Sequence, residues 1–186
     1  MPRRLRAPPG LLTKATPGLF WVAVLFSGIL AIQRSFTLEA ADGNREALRL
    51  SGLDPAGMFL GKFAAIAAQL LALEALLLVG VAVFYSARLD GLPLLGLTCV
   101  VATAGMAAAG TLYGVLAAGL RVRDTLLPLL LLPVLAPVLI GSTRAFEAAL
   151  AGRTADAWPW LGLLTIFALV YVGFGAASFG PLLEES

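Results

Sequence analysis

The chain has no histidine and a single cysteine among its 186 residues. Without histidine there is no imidazole for metal ligation, for acid–base work near neutral pH, or for binding haem iron. Cys99 alone cannot form a disulfide within the chain or a CxxC redox pair, and inside an apolar run it reads as a small buried hydrophobe. Charge is scarce too. Only 13% of residues are charged and the net charge is +2, whereas about a quarter of an ordinary soluble domain is charged. Beyond the N-terminal tail no basic run is interleaved with aromatics, so nucleic acid is not an expected partner. No G-x-x-x-x-G-K-[ST] is present, which argues against a nucleotide site of the phosphate-loop kind in this chain.

What is present is apolar sequence. Hydrophobic residues make up 60% of the chain and the mean hydropathy is +0.93. Five continuous runs stand out: Gly18 to Ile32, Phe59 to Ser86, Leu92 to Leu120, Thr125 to Ser142 and Trp158 to Phe179. A spanning helix needs about 20 mostly apolar residues. The runs do not alternate as barrel strands do, and in lipid each segment must satisfy its own backbone. The expected architecture is all-α: one polytopic transmembrane domain over residues 1–186, a bundle of about five helices. The basic N-terminus superficially resembles a signal peptide, but its apolar run continues into Gln33 and Arg34 without a small-x-small site, and it is expected to be retained.

Three features within the runs mark candidate sites. Glu74 lies well inside the second run, with Gln69 at a similar level. An ionisable residue in a span is costly and is expected to face protein or water, as a functional group or a hydrogen-bonded structural one. In the third run Gly110 and Gly114 form a G-x-x-x-G among alanines, where small residues let helix backbones approach. This stripe serves either packing within the bundle or a dimer face. In the fourth run Pro128, Pro133 and Pro137 each remove a backbone donor and crowd the preceding turn, which predicts a kinked or broken span. Trp158 and Trp160 at one end of the fifth run, and Tyr171, Phe174 and Phe179 at the other, are placed as interfacial aromatic belts would be.

The charged residues concentrate in SFTLEAADGNREALRLSG, residues 35–52. Read as a helix, this stretch brings Glu39, Asp42, Glu46 and Arg49 onto one face, beside a stripe of Leu38, Ala41 and Leu48 interrupted by Arg45. Gly43 weakens it by about 1 kcal/mol relative to alanine, and Gly52 and Pro55 end it. An amphipathic segment between spans either rests on the lipid interface or docks a soluble partner.

Arg34-Ser35-Phe36, then Asp42-Gly43, Glu46, Leu48 and Leu50, then Gly61-Lys62, resemble the loop after the second span in the cytochrome c maturation protein B family. Members of that family, also called haem exporter protein B, are membrane subunits of an ABC transporter of ABC-2-like type. Pro17-Gly18-Leu-Phe-Trp21-Val-Ala resembles the start of the span before that loop. Gly119-Leu120-Arg121 and Leu132-Pro133-x-x-x-Pro137-x-Leu139-Ile140 resemble later segments, so the likeness covers about residues 17–145. It implies an inner-membrane permease subunit in c-type cytochrome biogenesis, with a separate ATP-binding subunit, two copies of each, and further maturation subunits that handle haem. ATP would sit on the partner and haem would be a substrate, with no cofactor bound by this chain. In such transporters the amphipathic cytoplasmic segment couples the ATPase to the spans. That role would fall here to Phe36, Glu39, Asp42, Gly43, Glu46 and Arg49.

The family normally has six spans, with one before the Pro17-Gly18 element. Either the true start lies upstream or this is a five-span variant. Charge counting gives orientation only weakly. With the 35–52 stretch inside, six Lys and Arg fall inside and seven outside, or six and three once Arg3, Arg4, Arg6 and Lys14 of the tail are set aside. The expected arrangement therefore has this stretch and the C-terminus in the cytoplasm. The competing readings are another ABC-2-type permease exporting a lipid-linked or hydrophobic substrate, a non-catalytic membrane scaffold, and an intramembrane phosphatidyl-alcohol transferase. The last needs aspartates at helical spacing to hold two metal ions, and beyond Asp42-Gly43 they are not in place.

Overall fold

Apolar runs of this length, punctuated by Pro, Gly and Asp, become helices with defined ends. The computed structural model describes residues 9–40, 54–85, 91–118 and 123–185. They form five helices: α1 Pro9–Ala40, α2 Pro55–Tyr85, α3 Leu92–Ala118, α4 Arg123–Leu150 and α5 Thr154–Glu185. No strand occurs among the described residues. Each helix holds a stretch long and apolar enough to cross a membrane: Ala15–Thr37, Pro55–Val81, Leu92–Ala117, Thr125–Leu150 and Thr154–Leu182.

Local chemistry sets the boundaries. Asp54 caps α2, its Oδ2 accepting the Gly57 N–H at 3.1 Å, and Pro55 fills the first helical position, where no donor is needed. The α4–α5 turn is a Schellman motif. Arg153 N–H donates to Ala148 O at 2.9 Å and Gly152 N–H to Ala149 O at 3.2 Å, with Gly152 in the left-handed region at φ 70°.

One expectation for the fourth span changes and a second narrows. The span does not stop at Ser142, because the helix continues to Leu150. Ser142 itself is buried and stays within the helix. Arg144 is exposed and pairs with Glu147 at 3.2 Å, while Ala145, Phe146, Ala148 and Ala149 carry the apolar face inward. Nor is the helix broken: Pro128, Pro133 and Pro137 all lie inside continuous α4. Pro133 and Pro137 are on its exposed side and Pro128 is half-buried, so the missing donors fall largely away from the contacts with neighbouring helices. The charged stretch also starts differently from expectation. Residues 35–40 are the last turns of α1, not a separate element.

Helix α3 is the centre of the bundle and touches all four others, most extensively α5 and α4. Its small residues make this possible. Ala102, Ala107, Ala108, Ala109 and Ala117 are buried, and between apolar helices in lipid the attraction is close packing rather than water release. A Cβ at Gly105 would lie 2.9 Å from Phe167 Cδ1 of α5. Gly91, just before α3, is under similar constraint, since a Cβ there would lie 2.5 Å from the Ala149 carbonyl oxygen of α4.

Aromatic clusters close the two ends. At one, Phe20 and Trp21 of α1 meet Phe146 of α4, with ring centroids 4.8 and 6.3 Å away. At the other, Phe59 of α2 packs on Phe179 of α5 at 5.5 Å and lies over Gly175, where a Cβ would overlap its ring. Phe179 is thus a core residue and not part of an interfacial belt. Trp158 and Phe174 are exposed.

Candidate functional site

The second and third helices place one carboxyl group inside the bundle. Glu74 of α2 is 1% exposed. Thr103, near the centre of the α3 span, donates from Oγ1 to Glu74 Oε1 at 2.6 Å. The thiol of Cys99, one turn earlier on α3 and also buried, lies beside the same carboxyl group. Glu74 Oε2 is buried with no oxygen or nitrogen donor among the described residues. The other buried hydroxyls of α3 bond to their own helix, Thr98 to Leu94 O and Thr111 to Ala107 O, both at 2.8 Å. Thr103 is different in crossing to a neighbour, and so it ties α2 to the central helix.

Gln69 does not share this site. It is on the exposed side of α2. At about 100° per residue, five positions turn a side chain well away from Glu74, and at about 1.5 Å per residue they separate the two by about 7 Å in depth.

The second functional region is the end of the bundle where α1 leaves for the charged stretch. Phe36 is 4% exposed. Its ring lies against Gly114 of α3, where a Cβ would overlap it, and the Lys62 ammonium of α2 stands 4.3 Å from its centroid. One ring thereby joins three helices, through close packing on Gly114 and a cation–π contact with Lys62. Gly110, one turn earlier on α3, accommodates Ile32 of α1 in the same way. The G-x-x-x-G stripe thus faces α1 within this chain. Of the residues singled out in the charged stretch, Phe36 is spent on internal packing. Glu39 lies in the last turn and a half of α1. Asp42, Gly43, Glu46 and Arg49 lie outside the described residues.

Sequence reasoning missed Thr103, Cys99 and Lys62. Thr103 and Cys99 are four residues apart on α3, and a Thr and Cys at helical spacing in one span, facing a Glu in another, was the available signal. The Gly61-Lys62 pair was noticed only as part of a motif. Among the described residues no cluster of three His, Cys, Asp or Glu could hold a metal ion.

Four membrane-crossing helices packed on a fifth, small-residue central helix, with one carboxyl group sealed inside the bundle, define a polytopic α-helical membrane protein. The chain belongs to the CcmB protein family, whose family model matches residues 1–181. It is 32% identical over 175 residues to Heme exporter protein B of Pseudomonas aeruginosa, covering 90% of this chain and 76% of that protein. Heme exporter protein B of Haemophilus influenzae is 33% identical over 167 residues, covering 89% and 72%. Heme exporter protein B of Paracoccus denitrificans is 29% identical over 179 residues, covering 91% and 78%. The chain is accordingly a multi-pass protein of the inner membrane.

Proposed function

We propose that this chain is the permease subunit of an ABC transporter complex that exports haem, or drives release of haem to its carrier, in c-type cytochrome biogenesis. The observation that carries this reading is the family membership, joined to the way the charged stretch is anchored. Residues 41–53 lie between α1 and α2 in the chain, and Phe36 and Lys62, near the facing ends of those helices, are in contact. Force applied to the connection by a soluble partner reaches α1, α2 and, through Gly114, the central helix.

The partner is an ATP-binding subunit that hydrolyses ATP. It docks on the acidic and basic side chains of Glu39, Asp42, Glu46 and Arg49, with Gly43 allowing the bend. Such charges give steering and register rather than raw affinity. Two copies of each subunit assemble with the other cytochrome c maturation membrane subunits. With no histidine in the chain, haem is met by packing and basic side chains and not by an imidazole ligand.

Tagged chain is co-expressed with the ATP-binding subunit, and capture of that subunit is compared for wild type and Glu46→Arg. Capture from wild type and its loss from a fully inserted variant is the expected result. Equal capture by both rejects Glu46 as a docking residue, and no capture by well-inserted wild type rejects the coupling role.

A further inference from the structure

Between α1 and α2 is a groove of about 300 Å³ whose walls include Ser27, Leu30 and Arg34 of α1 and Gln69, Leu70 and Leu73 of α2. We propose that it seats an anionic phospholipid, with the phosphate on Arg34 and an acyl chain along Leu30, Leu70 and Leu73. The inference is independent of the reading as a haem exporter.

The argument begins with depth. Arg34 falls inside the membrane-crossing stretch Ala15–Thr37, near its end, and Gln69 falls inside Pro55–Val81. A guanidinium three residues from the end of a membrane-crossing stretch is within reach of the headgroup region, and Arg34 is exposed. The ion pairs between described residues are Arg144–Glu147 and Arg153–Asp156, and Arg34 belongs to neither. A cation at the membrane surface attracts anionic lipid, and guanidinium is suited to bidentate contact with phosphate oxygens.

Register supplies the second part. Gly28 of α1 faces Leu70 of α2, and Phe36 faces Lys62. Arg34 therefore stands opposite Ala64, and Gln69 opposite Ile29, so Gln69 is about 7 Å deeper than Arg34. Side chains lean toward the N-terminus of their own helix. In this antiparallel pair Arg34 leans into the membrane and Gln69 leans back toward Arg34, so the two converge on the groove they both line. The order along the groove is a cation, then an amide donor, then leucines. A phospholipid presents its phosphate, ester carbonyls and acyl chain in that order.

The test uses the full chain in mild detergent, with phosphatidylglycerol and phosphatidylcholine of identical acyl chains added at equal concentration. Native mass spectrometry reads how much of each lipid stays bound. Wild type is expected to retain phosphatidylglycerol over phosphatidylcholine. Arg34→Gln should lower that retention about five-fold, the equivalent of one interfacial charge contact. Leu73→Trp fills the groove without changing charge and should lower it too, and Arg144→Gln, in a surface ion pair at the opposite end of the bundle, should leave it unchanged. Circular dichroism and gel filtration confirm that each variant is folded. Equal retention of the two lipids by wild type, unchanged retention in Arg34→Gln, or an equal loss in Arg144→Gln overturns the proposal, as does a second copy of the chain held at this groove in place of lipid.

Discussion

Replacing Gly114 by leucine is expected to unseat Phe36 and loosen the end of the bundle from which the charged stretch departs. A Cβ at position 114 would overlap Phe36 Cε2 and come within 2.7 Å of Cδ2 and 2.8 Å of Cζ, whereas carbon atoms in contact sit about 3.5–4.0 Å apart. The ring has little room to retreat. It is 4% exposed, and Lys62 stands over the ring at 4.3 Å. Overpacking of this kind costs about 1–3 kcal/mol, and for leucine the upper end applies. Gly114→Ala should lose less, because the gain of about 1 kcal/mol for leaving glycine within a helix offsets part of the clash. Reversible unfolding in mixed micelles, followed by far-UV circular dichroism, measures both. The decisive arm is a double-mutant cycle with Phe36→Ala. That change alone empties a buried site and costs about 3–5 kcal/mol, while the leucine at 114 can fill the space, so the double variant should recover stability relative to Phe36→Ala. Strictly additive effects, or a Gly114→Leu variant as stable as wild type, would refute the proposed contact.

Two further changes probe the interior and the α4–α5 turn. Thr103→Val removes the hydroxyl that donates to Glu74 Oε1 at 2.6 Å and should destabilise by roughly 1 kcal/mol, the scale of hydrogen bonds between membrane helices. Thr103→Ser should keep the bond, so a valine variant equal to wild type in the same unfolding assay would remove the α2–α3 tie. Gly152→Ala forces a side chain into the left-handed region at φ 70° and should cost about 1–2 kcal/mol. If unfolding shows no loss, the Schellman geometry is not holding that turn.

Much of the helical architecture was legible before any coordinates. The continuous runs could only be helices, because no other unbranched segment hides its own backbone in lipid. Pro55 was read only as the end of the charged stretch, whereas with Asp54 it also opens α2. The failures have definite causes. The fourth run was ended at Ser142, where continuous apolar sequence gives way to Thr143 and Arg144, yet the helix goes on with Ala145 and Phe146 buried. Hydropathy averages around a helix and cannot register that one face has become polar while another stays apolar. The three prolines suggested a kink or a break, and the continuous helix, with two of them facing outward, excludes only the break.

The candidate site divides along the same line. That Glu74 had to be shielded followed from its position in an apolar run, through the cost of a carboxyl group in lipid. Which residue answers it did not follow, since Thr98, Thr103 and Thr111 all lie on α3 and only the packing angle and register of α2 against α3 select Thr103. The stripe of Gly110 and Gly114 was equally plain as a surface for close approach, and equally silent about what approaches. Periodicity states which residues share a face, whereas the partner of that face depends on how five similar helices are arranged. Sequence alone therefore determined a five-helix membrane domain with one shielded carboxyl and one small-residue stripe. Tertiary structure decided that the stripe receives α1, that Phe36 turns inward, and that Arg34 and Gln69 border a common groove, because those pairings join residues on different helices whose register no local pattern encodes.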